Sequence, residues 1–242
     1  MAELYDTIGR DYQVHRRPDP RIAAAIVAAL GSAASVVNMG AGAGSYEPTD
    51  RRVIAVEPSP AMIRQRPPRA APVVQAHAEA LPFGDRTVDA ALAVLTVHHW
   101  PDRARGLAEL GRVARRVVIF TWVPGGQEFW LVDYFPELVA VDRGIFPTAA
   151  DFATALGDVE IRTLPVPHDC SDGFLGAYWR RPHAYLDDGV RLAISTFSKI
   201  DAAPGLARLR ADLASGAWQH RHGSVLGASE IDLGYRLVVR KG

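Results

Sequence analysis

The stretch that decides the fold is residues 36–57, VVNMGAGAGSYEPTDRRVIAVE. Its apolar start favours a buried strand that ends at Gly40, and Gly42 and Gly44 follow at alternating positions. Glycine permits positive φ angles and lets a ligand approach the backbone closely. A second apolar run ends at Glu57, where open α/β sheets place the acid that binds ribose hydroxyls. The stretch therefore predicts a strand, a nucleotide-binding turn and a second strand.

The glycine spacing distinguishes between two kinds of nucleotide-binding turn. The dinucleotide fingerprint requires glycine at its first, third and sixth positions, and Ser45 occupies the sixth position here. The order G-x-G-x-G resembles motif I of class I S-adenosylmethionine-dependent methyltransferases. That family normally has Asp where this chain has Asn38, which keeps the hydrogen-bonding side chain and loses the charge. Glycine-rich turns also occur for backbone reasons alone, so other motifs must support this interpretation.

A second motif follows a predicted third strand at 72–76. Residues 77–83 read HAEALPF and resemble the family's D-A-E-x-L-P-F stretch, with His77 at the position of the acid. In relatives that acid accepts a hydrogen bond from the adenine amino group, and a neutral imidazole still accepts through one nitrogen. We expect the backbone of Ala78 to make this contact first, with Glu79 sharing it.

A third motif follows the apolar run 90–95, which is typical of a strand buried on both faces of a parallel sheet. Residues 96–102, TVHHWPD, resemble the loop after this strand in small-molecule methyltransferases, at the edge where acceptor and methyl group meet. Adjacent histidines of an extended chain point in opposite directions, so no metal site is expected. Either one is equally well a structural histidine. His99 is the first candidate catalytic base, followed by His98.

The resemblance implies S-adenosyl-L-methionine as methyl donor and S-adenosyl-L-homocysteine as product. In similar enzymes an N-terminal aromatic and arginine segment covers the cofactor, and an arginine can pair with its carboxylate. The alternative for the N-terminal tyrosines and for Met62 is ordinary core packing. The expected cofactor-binding residues are Tyr12, Arg16, Gly40, Ala41, Gly42, Gly44, Glu57, Pro58, Met62, Ala78, Glu79 and Leu95.

Strands and helices alternate along the first part of the chain, up to a fifth strand at 115–122. This alternation predicts an α/β fold with a parallel, doubly wound sheet. The resemblance extends the prediction to a three-layer, Rossmann-like sheet of seven strands, mostly parallel with the last strand antiparallel. The strands predicted at 159–166 and 235–240 are neighbours in that fold. The long stretch between them therefore has to carry structure of its own.

That stretch, residues 168–230, is expected to form a helical insertion that acts as a lid over the carboxyl edge of the sheet. It contains two amphipathic patterns, at 190–200 and 206–213. The whole chain, 1–242, is predicted to be one domain in which residues 1–20 form an N-terminal cover. The aromatic segment 129–139 is either core or one wall of an apolar substrate pocket.

A dense group of charges and aromatic residues lies near the start of the insertion and resembles the C-terminal region of a bacterial methyltransferase subgroup. We expect a salt-bridged corner, in which Asp169 or Asp172 holds Arg180 or Arg181, in preference to substrate contact. Cys170 is expected to be an inert buried thiol.

Composition limits the partners and the compartment. The 242 residues include 48% hydrophobic residues, and 27 basic side chains balance 27 acidic ones. No basic footprint for nucleic acid or membrane is present, so a small or neutral partner is expected, with the chain a monomer or homodimer. The single cysteine and the charged N-terminus, which lacks the apolar run of a signal peptide, predict a reducing cytoplasm.

The motifs together favour methyl transfer from S-adenosylmethionine to a small, partly apolar or aromatic metabolite. Among subgroups, the ubiquinone and menaquinone methyltransferases are the expected relatives. One alternative is a protein that binds S-adenosylmethionine without methylating or without catalysis, for which Asn38 and His77 leave room. An NAD-dependent oxidoreductase is the less favoured alternative, because Ser45 breaks the dinucleotide fingerprint.

Overall fold

The computed structural model describes residues 15–127 and 129–242. Its strands are β1 (Ser35–Met39), β2 (Arg52–Val56), β3 (Val73–Val74), β4 (Val88–Val94), β5 (Ala114–Trp122), β6 (Glu160–Thr163), β7 (Val166–Pro167), β8 (Glu230–Ile231) and β9 (Tyr235–Arg240). Its helices are α1 (Pro20–Leu30), α2 (Pro60–Arg64), α3 (Arg103–Val113), α4 (Leu131–Tyr134), α5 (Glu137–Ile145), α6 (Ala149–Leu156), α7 (Asp188–Leu192), α8 (Ala203–Ser215) and α9 (Ala217–His222). Short 3₁₀ helices span Val97–His99, Leu175–Tyr178, Pro182–Leu186, Ser195–Lys199 and Gly223–Gly227.

Within these described ranges, seven strands form one sheet of order β3-β2-β1-β4-β5-β9-β6. The pairs β1–β2, β1–β4, β2–β3 and β4–β5 are parallel, and β9 is inserted antiparallel between β5 and β6. The predicted fold class is confirmed. Because the sheet order reverses between β1 and β4, the loops that follow these strands meet at a topological switch point, where open α/β sheets bind ligands.

The central strands are apolar on both faces because each face has its own core. Ala90 and Leu92 of β4 pack into one cluster, and Ala91 and Ala93 pack into the other. All four are fully buried. A strand covered by helices on both sides needs such a continuous apolar run, which is the pattern read at 90–95.

Helix ends follow the chemistry of their caps. Asp19 caps α1 by accepting the backbone N–H of Arg21, and Gly31 ends the helix with a positive φ of 59°. Thr148 and Asp151 form the capping box of α6. Each N-cap oxygen satisfies a backbone donor that the helix itself leaves unpaired.

Two elements differ from the sequence prediction. The sixth strand stops at Thr163, and β7 belongs instead to a second, two-stranded sheet with β8. Pro165 lies between them and has no N–H to continue the ladder, which explains the break. The helix predicted from Val190 onward is likewise interrupted, because Ile194 is extended (φ −111°, ψ 100°) between α7 and the next 3₁₀ turn.

The inserted segment, residues 168–230, packs its large aromatic residues on one face of the sheet. Trp179, Tyr185 and Trp218 are buried in the same cluster as Trp130, which precedes α4. The Trp130 Nε1–H donates to the carbonyl of Trp179 at 2.7 Å, and its ring centroid is 5.2 Å from that of Trp218. The insertion is therefore fastened to the sheet by a shared aromatic core.

None of the helices in the described part of the chain is long and apolar enough to cross a membrane.

Candidate active site

The turn after β1 is closed by backbone contacts that only glycine permits. Gly40 has φ 65°, and a Cβ there would lie 2.0 Å from the Oγ1 of Thr96. The N–H groups of Gly40 and Ala41 both donate to the carbonyl of Val56, at 2.8 and 3.1 Å. The end of β1 is thereby held against the end of β2 and against the loop after β4.

Glu57 lies directly after β2 and is 6% exposed. Its carboxylate accepts the N–H of Gly42 at 2.8 Å and that of Ser59 at 2.9 Å. Burial raises the pKa of Glu57, while these two donors act in the opposite direction. Each oxygen retains a further lone pair, so the carboxylate can also accept hydroxyl groups of a bound ribose.

A cavity of about 330 Å³ opens beside this turn. That volume is at the small end of ligand-binding sites. Ten of the residues predicted to bind the cofactor line it, namely Arg16, Gly40, Ala41, Gly42, Glu57, Pro58, Met62, Ala78, Glu79 and Leu95. Its lining also contains His77, Thr96 and Trp100 from the second and third motifs, together with Tyr46 and Ser59, which were not among the predicted binding residues.

Two predicted cofactor residues differ from this set. Gly44 does not line the cavity. It turns the backbone at φ 97°, and a Cβ there would lie 3.3 Å from that of Ala70. Tyr12 lies outside the described residues.

Asn38 explains why the cavity fits a polar ligand. The residue is 1% exposed on β1, and its Oδ1 has no hydrogen-bond partner within 15–127 and 129–242. Buried polar atoms are almost always bonded, so an orphaned oxygen in a cavity wall indicates a donor supplied by a ligand. Asn38, the glycine turn and Glu57 together fit a nucleoside with a polar tail.

A larger cavity of about 790 Å³ adjoins the first one. Arg16, Leu95 and His99 line both. The aromatic residues in its wall are Trp122, Phe129, Trp130, Phe146, Phe174 and Tyr235, and they come from β5, β9, the 129–146 region and the inserted segment. Within the aromatic segment 129–139, Trp130 is part of the core and also lines this cavity, so the core alternative is confirmed for it and the substrate wall stays a prediction.

Leu95 has an unusual backbone at the junction of the two cavities. Its φ of 49° is left-handed, which costs a residue with a Cβ about 1–2 kcal/mol. Its N–H donates to the carbonyl of Phe120 at 2.8 Å. Strain of this kind persists where the surrounding structure fixes it, and it commonly marks functional sites.

His98 and His99 lie side by side in the 3₁₀ helix, with ring centroids 3.9 Å apart. The expectation of opposite directions is wrong, because that geometry applies to an extended chain. His98 also stacks on Phe146 at 4.4 Å. Both line the larger cavity, and His99 alone of the two reaches the smaller one.

The electrostatics of the pair favour neutral rings. Burial is the main cause that lowers the pKa of His98 well below 6.5, with the charge of His99 next. Burial, followed by the charges of Lys199 and Arg16, lowers the pKa of His99 to about 3. At neutral pH each ring therefore offers one donor and one acceptor nitrogen and carries no charge.

Arg16 joins the N-terminal side of the site to the inserted segment. Its Nε donates to the Oδ1 of Asp172 at 2.7 Å, and the two residues also form a β-bridge. The Tyr46 hydroxyl donates to Asp172 Oδ2 at 3.1 Å and accepts the N–H of Asp19 at 3.1 Å. Asp172 is 2% exposed, so this is a buried polar junction between distant parts of the sequence.

The predicted salt-bridged corner is wrong. Asp172 pairs with Arg16 and Asp169 with Arg21, while Arg180 and Arg181 donate to backbone carbonyls. The prediction paired these acids with arginines that are near them in sequence, whereas the fold brings the N-terminal arginines to them.

Cys170 is buried, and burial raises the pKa of its thiol to about 12. A thiol with that pKa stays protonated at neutral pH, which fits the inert role predicted for it.

The chain is similar to known methyltransferases in sequence and in fold. The family model of a methyltransferase domain matches residues 37–121. A protein of Anabaena variabilis, provisionally named as a methyltransferase from an antibiotic biosynthesis pathway, is 32% identical, with 94% of this chain and 99% of that one covered and a TM-score of 0.87. No curated protein matches the sequence.

Two more distant structures share the fold alone. One is an S-adenosylmethionine-dependent methyltransferase of Thermotoga maritima (21% identity, 69% and 86% of the chains covered, TM-score 0.56). The other is the 4+2 cyclase SpnF (14% identity, 100% and 93% covered, TM-score 0.53).

The chain belongs to the class I S-adenosylmethionine-dependent methyltransferases. S-adenosyl-L-methionine is its cofactor, as the class requires. The matching model is that of the general methyltransferase domain, so the ubiquinone and menaquinone subgroup stays a prediction.

Proposed function

We propose that this methyltransferase acts on a small, partly apolar or aromatic metabolite, which binds in the larger cavity. The observation that carries the proposal is the pair of adjoining cavities, of about 330 and 790 Å³, with Leu95 and His99 in both linings. The second volume lies within the range of small-molecule sites, and its wall combines aromatic rings with a few polar groups.

Different residues of the smaller cavity bind different parts of the cofactor. Glu57 accepts the ribose hydroxyls, and Asn38 and the Gly40–Gly42 turn face the polar tail. Pro58, Met62, Ala78 and Glu79 form the adenine wall. When bound, the cofactor supplies a methyl group on a sulfonium that is already activated for displacement.

The protein's own contribution is alignment and exclusion of water. Alignment of reacting groups can supply on the order of 7–11 kcal/mol of the barrier. The left-handed Leu95 fixes the passage between the cavities, and the inserted segment, residues 168–230, acts as a lid that covers the acceptor. The Arg16–Asp172 pair joins the residues just before α1 to this lid.

His99 is the proposed catalytic residue at the junction, and its ionisation decides which task it performs. A nitrogen with a pKa of about 3 is far from the neutral pH at which a general base works best. His99 is therefore better suited to orient an acceptor by a hydrogen bond than to remove its proton. His98, buried behind it and stacked on Phe146, holds the ring in position.

The proposal is tested with S-adenosylmethionine carrying a deuterated methyl group. The protein is incubated with a small-metabolite extract, and separately with protein and nucleic acid fractions, and labelled products are identified by mass spectrometry. We expect label in small apolar or aromatic compounds, and a His99→Ala variant that labels them more slowly. Label confined to the macromolecular fractions would overturn the assignment of the acceptor class.

A further inference from the structure

The wall of the larger cavity contains Asp142, one carboxylate oxygen of which accepts no hydrogen bond from the described part of the chain. Asp142 lies on α5, lines this cavity and is only partly exposed. Its Oδ1 is enclosed and has no hydrogen-bond partner among residues 15–127 and 129–242. A buried carboxylate oxygen normally has a donor, so an unbonded one in a cavity wall indicates a donor on the ligand.

The surroundings of Asp142 are aromatic. The N–H of Phe146 donates to the Asp142 backbone carbonyl at 3.0 Å, one helical turn further along. The Phe146 ring lies 5.2 Å from that of Trp122 and 4.4 Å from that of His98. The faces of such rings attract cations, and the effect grows where water is excluded.

A second unbonded polar atom belongs to the same part of the cavity. His98 is 8% exposed, and its Nδ1 has no partner among the described residues. Because the pKa of His98 is depressed by burial, its ring is neutral and cannot balance Asp142. Burial raises the pKa of Asp142 to about 6, against the opposing charge of Lys199, so the carboxylate is mostly ionised at neutral pH.

The other charged groups in and around this cavity are paired or exposed. Lys199 on the facing 3₁₀ turn is exposed, and so is Arg143 on α5. The ion pairs are Arg16 with Asp172 and Arg221 with Asp212. Asp133 is exposed beside His222, whose pKa is lowered by burial. The charge of Asp142 is therefore the one among these that a ligand inside the cavity has to balance.

We propose that the acceptor of this methyltransferase carries a protonated aliphatic amine, and that Asp142 binds its ammonium group beside the ring of Phe146. The proposal rests on the proposed function and names the substrate class of the same cavity. Ammonium is the ligand group that offers both a positive charge to the carboxylate and a cation to the ring faces.

The ammonium group is a recognition element and not the methylated atom. A protonated nitrogen has no lone pair and cannot attack the sulfonium methyl. The nucleophile is accordingly a different atom of the same acceptor, at the junction lined by Leu95 and His99. Asp142 fixes the distance between the two ends of the acceptor and so selects among acceptors by length.

Binding to protein saturated with S-adenosylhomocysteine tests the proposal. The probes are a series of arylalkyl amines of increasing chain length, each matched with the alcohol and the carboxylic acid of the same skeleton, measured by calorimetry. We expect at least one amine to bind about tenfold or more tightly than its alcohol, as a charged hydrogen bond predicts, and its acid to bind least.

Three variants identify the group responsible. Asp142→Asn, which keeps the shape of the side chain, should remove the preference for amines. Asp133→Asn, which changes an exposed acid of the same cavity, should keep it. Lys199→Met, which removes the positive charge near Asp142, should leave the amine preference of the native chain in place. An amine preference that is seen only in Lys199→Met and not in the native chain would show that Lys199 already satisfies the carboxylate, and it would overturn the proposal.

Equal binding of amines and alcohols throughout the series, a preference for the acids, or an amine preference that survives Asp142→Asn would each overturn it as well. Circular dichroism and retained S-adenosylhomocysteine binding establish that the variants are folded. Because the readout is binding and not methyl transfer, its failure leaves the labelling experiment of the proposed function unaffected. Failure of the labelling experiment likewise leaves the result of the binding experiment unaffected.

Discussion

The two adjoining cavities are built in different ways. The smaller cavity, which we assign to the cofactor, is made of short consecutive stretches at the carboxyl ends of β1, β2 and β4, and many of its contacts are to backbone atoms. The larger cavity, which we assign to the acceptor, is made of single side chains that come from β5, β9, the 129–146 region and the inserted segment. One is a local property of the chain, and the other exists only after folding.

The difference has a physical origin. Backbone donors and tight turns require particular residues at fixed spacing, so they leave a pattern in the sequence. An apolar cavity requires only volume and a few polar atoms, which many combinations of residues can supply. Substitutions in the first cavity should therefore affect cofactor affinity, and substitutions in the second should affect turnover and choice of acceptor.

The largest effect is expected for Gly40→Ala. A methyl group there overlaps Thr96 and has to adopt a positive φ, so we expect a loss of about 2–5 kcal/mol in the free energy of unfolding. Cofactor binding, followed by calorimetry, should be lost. Gly144→Ala is the matched control, since nothing lies within 4 Å of a Cβ at that position. A near-native affinity of Gly40→Ala for the cofactor would contradict the requirement for glycine in this turn.

Glu57→Ala should weaken cofactor binding about 10- to 100-fold, because a hydrogen bond to a charged group contributes about 1.5–3 kcal/mol. The measurement is a titration with S-adenosylhomocysteine. Thermal unfolding should change modestly, because the N–H groups of Gly42 and Ser59 lose their acceptor. Glu230→Ala, at an exposed acid on β8, serves as control. An unchanged dissociation constant would reject the role of Glu57.

His99→Ala should distinguish the role of the larger cavity in turnover from the role of the smaller cavity in cofactor binding. We expect kcat to fall about 10- to 100-fold through misplacement of the acceptor, with the cofactor dissociation constant changed little. His183→Ala, at an exposed histidine of the inserted segment, should leave both unchanged. Equal losses in cofactor affinity and turnover would show that His99 belongs to the cofactor cavity alone.

The smallest expected effect is the contribution of His98 to the pH dependence of folding stability. Its pKa is lowered in the folded state, so the folded protein stays unprotonated where the unfolded chain binds a proton. The stability that follows is present above about pH 6.5 and is lost as the pH falls below it, by at most about 1.4 kcal/mol per pH unit for each such histidine. His99 acts in the same direction over the window from 6.5 to about 3.

Asp142 changes the folding stability in the opposite direction. Its pKa is raised from 3.8 to about 6 in the folded state, so its contribution to stability increases as the pH falls from about 6 toward 3.8. We expect urea unfolding midpoints of the native chain to decline between about pH 7 and about pH 5, with a shallower decline in His98→Phe. Phenylalanine keeps the contact with Phe146 and removes the proton site. A decline as steep as that of the native chain would contradict burial of a neutral His98.

The fold was predictable to a large extent because its signals are local. Apolar runs, Gly31 and the Thr148–Asp151 box are short-range patterns, and the arrangement of the seven strands followed from the resemblance to the methyltransferase family. The wall of the smaller cavity was predictable for the same reason, and ten of the residues expected to bind the cofactor line it. Only the extent of β6 and the continuity of the helix from Val190 were misjudged, where Pro165 and an extended Ile194 intervene.

The rest depended on contacts between residues distant in sequence. Asp172 pairs with Arg16, 156 residues away, and no spacing in the chain indicates it. The left-handed φ of Leu95, the stacking of His98 on Phe146 and the unbonded Asp142 likewise arise from packing. The sequence by itself determined most of the residues that line the smaller cavity, because backbone geometry constrains the residue types there. The tertiary structure alone decided which side chains enclose the larger cavity, because an enclosed volume has no local pattern.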